Sequence, residues 1–436
     1  MAFTMEKFQN QYLPVEGRRA DAILRVTAGD EAGTQQQDRV FGFIIDQSGS
    51  MAGERIRSVT QAASQAVNLL DASSTFFIVT FNTDGHVLCA PARATPEQKQ
   101  QAANQLRRVE AEGGTAMSEG LTRALQVFAQ YPRSICYAIF LTDGKNESET
   151  PVQVQQVLQQ CQGVFQADCW GVGTDWKVGE VQEIARTLLG KAALIPQASG
   201  IALAFQEAIG QAQSKTINNV RLRLWTPATA TVIFVKQVNP KIEDLTGRAA
   251  VTSPQVREYP TGAWGRGEAR EYHISIELTP GNVGVKMMAG RPSIVYEERD
   301  PSGATVTREI QSPDGRILAE WTADDTLSSR IDRHVAAVTG NVELADSIQQ
   351  GLAMKEKGDD AAATQFLGRA VKLSIESGNE EMTHRLSKVV DILDPEKGTV
   401  RLRKAAKADE MDLQLESTTT KRVKRAPTPP PTPSGT

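Results

Sequence analysis

Thiol and imidazole groups are scarce in this chain: four cysteines and four histidines in 436 residues. Cys89, Cys136, Cys161 and Cys169 fall in one region, none in Cys-x-x-Cys spacing. That excludes a dithiol redox motif or a zinc ribbon and leaves buried free thiols as the expectation. His86, His273, His334 and His384 stand apart with no identifiable partner, so each is expected to be a surface or packing residue, not a base. Long apolar runs are missing too. No stretch approaches ~18 uninterrupted apolar residues, and the opening MAFTMEKFQN has no basic segment followed by an apolar one. A cytoplasmic protein with no membrane contact is therefore expected. Nor is there a stripe of one charge: the formal net charge is -4 and the basic residues are spread along the chain, which argues against a nucleic-acid surface. The Gly-x-x-x-x-Gly-Lys-Ser/Thr phosphate loop and the serine nucleophile elbow are also absent, which weighs against catalysis.

What is present begins with residues 40–50, VFGFIIDQSGS. The run is too apolar for water on either face, so it reads as a central strand of a parallel sheet. It ends in Asp46, Ser48 and Ser50, which the sheet would deliver to its carboxyl edge, where open α/β folds bind ligands. One carboxylate and two hydroxyls in so short a span make a hard-oxygen cluster suited to Mg²⁺ or Mn²⁺. The same residue types also cap helices and close turns, so the triplet by itself leaves both roles open. Gly113-Gly114-Thr115 precedes a helical run, and CYAIFLT at 136–142 repeats the plan of an apolar strand, ending in Asp143. The two glycines allow close backbone approach to an ion or form a plain turn before the helix.

With these pieces in this order, the chain resembles the von Willebrand factor A domain and its metal-ion-dependent adhesion site, written Asp-x-Ser-x-Ser, then Thr, then Asp. The resemblance covers 39–214, and it points to the bacterial cytosolic type. It implies that Ser48, Ser50 and Thr115 offer hydroxyls to Mg²⁺ (or Mn²⁺), while Asp46 and Asp143 contribute charge, partly through bound waters. A partner protein's Asp or Glu carboxylate would then complete the ion's shell, making the chain an interaction module in a signalling or stress-response complex, not an enzyme. A substrate adaptor for a MoxR-type or chelatase-type AAA⁺ ATPase is the alternative, and a metal-dependent phosphoester hydrolase a second one.

Around the site, strands and helices alternate: helices over 54–71, 96–109, 116–130, 152–162, 178–189 and 200–213, strands over 75–81, 165–172 and 192–195, and an antiparallel edge strand over 86–90. From 220 the period becomes two, over 220–224, 231–238 and 272–278, with further strands at 291–297 and 304–310; 258–267, with Trp264, reads as a loop. A strand at 21–27 is expected to join these. From 322 the composition is helical, over 327–338, 342–357, 360–377 and 380–393, with Gly340, Gly358 and Gly378 as stops; residues 351–373 faintly resemble a tetratricopeptide helix pair. The architecture expected is a doubly wound, Rossmann-like α/β domain over 39–214, inserted in a β-sandwich made by a strand within 1–38 and by 215–320. A small helical bundle over 321–395 and a disordered tail over 396–436 follow. Thr418, Thr419 and Thr420, followed by Lys421 and Arg422, are possible phosphorylation sites for a Ser/Thr kinase and docking points for a forkhead-associated domain. A merely solubilising tail is the other reading.

Overall fold

The computed structural model describes residues 2–30, 37–197, 200–299 and 304–420. The strand Arg39–Asp46 lies inside a six-stranded sheet, between Thr75–Phe81 and Ile135–Thr142, and is parallel to both. Gln166–Val172 and Ala192–Ile195 extend the parallel side, and Gly85–Arg93 closes the other edge antiparallel. Seven of the eight residues of Arg39–Asp46 are buried, because helices cover both faces. Glu54–Leu69, Pro96–Leu106 and Ile201–Gln213 share one apolar cluster with the sheet, and Met117–Phe128, Pro151–Cys161 and Val178–Thr187 share the other. The chain enters at Arg39–Asp46 and later strands are added on either side of it. A crevice therefore opens where the connections diverge, at the carboxyl ends of these strands.

A second body is built from two sheets. One runs Phe3–Phe8, Arg19–Ala28, Ala269–Leu278, Ala230–Asn239 and Glu243–Asp244; the other contains Val256–Gly265, Lys215–Trp225, Lys286–Arg299, Ile317–Thr322 and Tyr12–Pro14. Phe3, Leu24, Leu222, Tyr259, Tyr272 and Trp321 belong to one buried cluster between them. Residues before the α/β unit thus supply strands to both sheets, with Leu24 opposite Tyr272. Two of these strands, Phe3–Phe8 and Tyr12–Pro14, carry too little alternation to stand out in the sequence.

Four expectations are corrected. The loop expected at 258–267 is most of the strand Val256–Gly265, and Trp264 is fully buried, with its indole N–H donating to the Thr261 hydroxyl at 3.0 Å and the Arg270 guanidinium 4.3 Å from its ring centre. A glycine in the left-handed region, Gly262 (φ 79°), lets the strand kink and turn the ring inward. Gly340 does not stop a helix: Arg333–Glu356 runs through it, capped at its start by the Asp332 carboxylate and held by the buried Val338, Leu344 and Ile348. The ~1 kcal/mol cost of one mid-helix glycine is small beside that burial. The helix expected to reach 393 ends at Val389, and Val390–Asp394 instead pairs with Thr399–Leu402.

The fourth correction concerns the tail. Residues 396–420 are folded, and include the helix Lys407–Glu416. Met411 and Leu415 enter the core of the α/β unit while Leu413 enters the cluster of the helical region. Apolar residues at i, i+2 and i+4 lie on two sides of a helix, which makes no one-faced stripe to read. The threonines beyond it are tied to the two-sheet body: Ile242 N–H donates to the Thr418 carbonyl at 2.7 Å, and the Thr420 hydroxyl donates to the Val238 carbonyl at 2.7 Å. The Pro/Thr stretch 427–433, Lys421 and Arg422 lie outside the described residues, as do residues 31–36 of the connector before the central strand.

Candidate functional site

Asp46 ends its strand with its side chain fully buried. Its two carboxylate oxygens accept from different groups: the Ser48 backbone N–H at 2.7 Å and the Thr142 hydroxyl at 2.6 Å. Burial pushes the Asp46 carboxyl up to about 6, with the nearby Asp143 charge adding to it, against the pull of the Ser48 and Thr142 hydrogen bonds. Asp143, one residue past the neighbouring strand, is fully buried as well. One of its oxygens accepts from the Ser50 hydroxyl at 2.6 Å and the other from Arg55 Nη1, also at 2.6 Å.

Three loops complete the arrangement. Ser48 and Ser50 flank the start of a 3₁₀ turn, Gly49–Met51, which sets their hydroxyl oxygens 3.0 Å apart. The loop carrying Thr115 is fastened to this turn by Gly49 N–H donating to the Gly113 carbonyl at 3.0 Å and by Glu112 N–H donating to the Gln47 carbonyl at 2.8 Å. Gly113 has a φ of 78°, the left-handed conformation that glycine adopts at no steric cost, and this returns the chain toward the site. Thr115 N–H donates to the Ser148 hydroxyl at 3.0 Å, which anchors the residue from the far side. The convergence is measured from Gly144: a Cβ placed there would lie 3.2 Å from the hydroxyls of both Ser50 and Thr115 and 3.9 Å from that of Ser48. Any larger residue at 144 would crowd this cluster.

All the residues singled out in the sequence at this edge, Asp46, Ser48, Ser50, Thr115 and Asp143, are therefore brought to one place. Thr418, Thr419 and Thr420 are not part of it; they lie against the two-sheet body, with Thr419 exposed. Sequence reasoning missed Thr142 and Arg55. Arg55 lies in the first turn of Glu54–Leu69, where the helix dipole disfavours a cation, and that position was the available signal that an anion must face it. It faces two, Asp143 at 2.6 Å and Asp175 at 3.1 Å.

His86 is exposed on the edge strand, His273 pairs with Asp21 at 3.0 Å, and His334 lies 3.2 Å from Glu271 with its ring 4.1 Å from that of Phe8. The four cysteines are free and buried, and burial pushes the thiols of Cys89, Cys136 and Cys161 up to about 12. Among the described residues, no three His, Cys, Asp or Glu side chains are placed to share an ion. Among those residues no helix is long and apolar enough to cross a membrane.

Comparison with known proteins gives the same region. A model described as the von Willebrand factor type A domain matches residues 41–145, and one described as the von Willebrand factor type A C-terminal domain matches 372–417. The second match takes in the helix Lys407–Glu416. A solved structure described as von Willebrand factor type A from Catenulispora acidiphila is 37% identical, covers 97% of this chain and 97% of its own, and superposes with a TM-score of 0.89. The ArnB paralog VWA2 from Sulfolobus acidocaldarius shares the fold at 15% identity, with a TM-score of 0.62 over 96% of this chain and 99% of its own. An uncharacterized protein of Synechocystis is 25% identical over 211 residues, 47% of this chain and 49% of that protein, so the chain spans about half the length of this curated relative.

Proposed function

Because the chain belongs to the von Willebrand factor type A family, whose domain is a protein-interaction module, we propose that it binds a partner protein through a divalent ion held at the Asp46 edge of the sheet. The observation that carries this reading is the convergence of the Ser48, Ser50 and Thr115 hydroxyls around Gly144, with two fully buried carboxylates beside them. The donors are all hard oxygens, with no nitrogen or sulfur among them, which fits Mg²⁺ or Mn²⁺ and not zinc. Asp46 is a second sign of fit: it is buried with only neutral donors bonded to it, and its carboxyl is pushed up to about 6, in keeping with a charge that the chain alone compensates poorly.

In this reading Ser48, Ser50 and Thr115 hold the ion by their hydroxyl oxygens. Asp46, fixed by Ser48 N–H and Thr142, and Asp143, fixed by Ser50 and Arg55, supply charge from the buried side. A bound Mg²⁺ or Mn²⁺ would supply a Lewis-acid centre for an Asp or Glu carboxylate of the partner. The chain itself performs no catalysis and acts in a cytoplasmic signalling or stress-response complex. The α/β unit is an insertion in a β-sandwich, and the sandwich and helical bundle are its platform. Of the three C-terminal threonines, Thr419 is the one a kinase would reach without unpicking the hydrogen bonds made by its neighbours' hydroxyls.

Affinity capture from native lysate with wild type and Asp46→Ala, each in Mg²⁺ and in EDTA, tests the proposal. Partners held only by wild type in Mg²⁺ support it, whereas partners retained in all four conditions would place recognition elsewhere. Thr115→Val removes one oxygen and keeps the shape. It should leave the circular dichroism spectrum unchanged and weaken ion binding, measured by calorimetry, about tenfold.

A further inference from the structure

The α/β sheet has a second end. Where Ile135–Thr142 and Gln166–Val172 begin, at the edge opposite Asp46 and Asp143, the α/β unit faces the two-sheet body across a cavity of about 330 Å³. Four cations line it, Lys191, Lys215, Lys241 and Arg270, against three carboxylates, those of Asp168, Glu243 and Glu268.

Two of these carboxylates are paired with cations, and the third is bonded by a neutral donor. Asp168 accepts from the Lys191 backbone N–H at 2.8 Å, and Glu243 pairs at 2.6 Å with Arg248, which does not line the cavity. Glu268 serves two cations at once, Lys215 at 2.6 Å and Arg270 at 2.7 Å, and also accepts from Gly265 N–H at 2.8 Å. Arg270 also donates to the carbonyls of Thr261 and Ala263. The lysines are less well served. The Lys241 ammonium has the Gly190 carbonyl at 3.3 Å, and the Lys191 ammonium has the Gln211 side-chain oxygen at 3.5 Å; among the described residues neither has a carboxylate partner. An ammonium has three donors to satisfy, and a cleft lined by four cations against three carboxylates carries an excess of positive charge that attracts an anion. Burial holds the Lys215 ammonium below its usual value, and the Arg270 and Lys191 charges add to this against the pull of Glu268.

We propose that this cavity is a binding site for a small oxyanion, a phosphate or carboxylate group either free or carried on a metabolite, received by Lys191, Lys215 and Lys241. Its volume is at the lower end of the ~300–1,000 Å³ typical of small-molecule sites, room for such a group and a few further atoms. The receiving groups come from both bodies. Lys191 follows the α/β helix Val178–Thr187, Lys241 and Arg270 belong to the two-sheet body, and Lys215 opens the strand that joins them. The ligand would therefore fix the two bodies relative to each other. It would also bear on the C-terminal segment, because Lys241 bridges to Thr419 in the same loop that holds Thr418 and Thr420.

Calorimetric titration of the full chain in EDTA, so that ions at the Asp46 edge take no part, tests this with orthophosphate, glycerol 3-phosphate and malonate as probes. The expected result is one saturable site for at least one probe, a higher melting temperature in its presence, and affinity lowered about tenfold or more in both Lys241→Met and Lys191→Met. Preference for orthophosphate would identify the free ion, preference for glycerol 3-phosphate a phosphorylated metabolite, and preference for malonate a carboxylate ligand. Lys191 is exposed, so Lys191→Met is expected to fold even if Lys241→Met does not. Absence of saturable binding by all three probes, or unchanged affinity in Lys191→Met, would overturn the proposal.

Discussion

Asp46, at the carboxyl edge of the α/β sheet, and Glu268, in the two-sheet body beside the cavity at that sheet's other end, are both carboxylates withdrawn from water, and their pKa values move in opposite directions. Burial raises both. At Asp46 the neighbours are an amide N–H and a hydroxyl, which bond the carboxylate but cannot neutralise it, and it stands at about 6. At Glu268, Arg270 and Lys215 outweigh burial and hold the group down to about 2. The sign of the shift follows the charge of the neighbours, not the depth of burial.

The sharpest way to break this comparison is Glu268→Gln, which leaves Lys215 and Arg270 partly buried without their shared anion. Urea unfolding should show a loss of about 3–5 kcal/mol; a loss below ~1 kcal/mol would mean that solvent already balances those cations. Asp46→Asn should act in the opposite sense. In EDTA at pH 7 it removes a charge that folding disfavours, and stability should rise by about 1–3 kcal/mol. Because the folded-state pKa of Asp46 is raised, its contribution to the ion-free protein is complete below 3.8 and is lost as pH rises through about 6. The advantage of Asp46→Asn should therefore vanish near pH 4, and added Mg²⁺ should stabilise wild type but not the variant. Glu268, being depressed, contributes stability that is present above 4.5 and lost only as pH falls through about 2. Melting curves from pH 2 to 8 separate the two windows. The smallest effect is expected from Thr420→Val, which removes the hydrogen bond to Val238 in the segment lying beside the lysine cavity. It should cost about 1 kcal/mol and leave ion binding at Asp46 unchanged, as measured by urea unfolding and calorimetry.

Legibility differs between these ends for a physical reason. Asp46, Ser48 and Ser50 are readable because a strand buried on both faces shows as an apolar run, and the small polar residues that end it are adjacent in the chain. Thr115 and Asp143 are readable because each also follows a local plan, glycines before a helix and an apolar strand before an acid. Arg55 and Thr142 were missed because their partners are remote: Arg55 meets Asp143 across 88 residues and Thr142 meets Asp46 across 96. The lysine cavity is less legible still. Lys191, Lys215, Lys241 and Arg270 come from a loop, a strand start, a turn and a strand in two bodies, with no shared spacing.

Trp264 and the helix Lys407–Glu416 fail for a related reason. The turn residues around Trp264 describe a kinked strand as well as a loop, and only the ring's burial separates them. Leu413 and its neighbours Met411 and Leu415 serve two different cores, so neither makes a stripe.

By itself, then, the chain's order of residues determined the apolar strands, their carboxyl-edge oxygens and the turn from helical to alternating period, because these depend on contacts a few residues apart. The tertiary structure alone decided which charges stand beside Asp46 and Glu268, which acceptors the Lys241 ammonium meets, and that 407–420 folds at all. Those outcomes depend on groups that meet only after the sheets and helices have packed, and the electrostatic cost or gain of a buried charge is set by the few groups within reach of it.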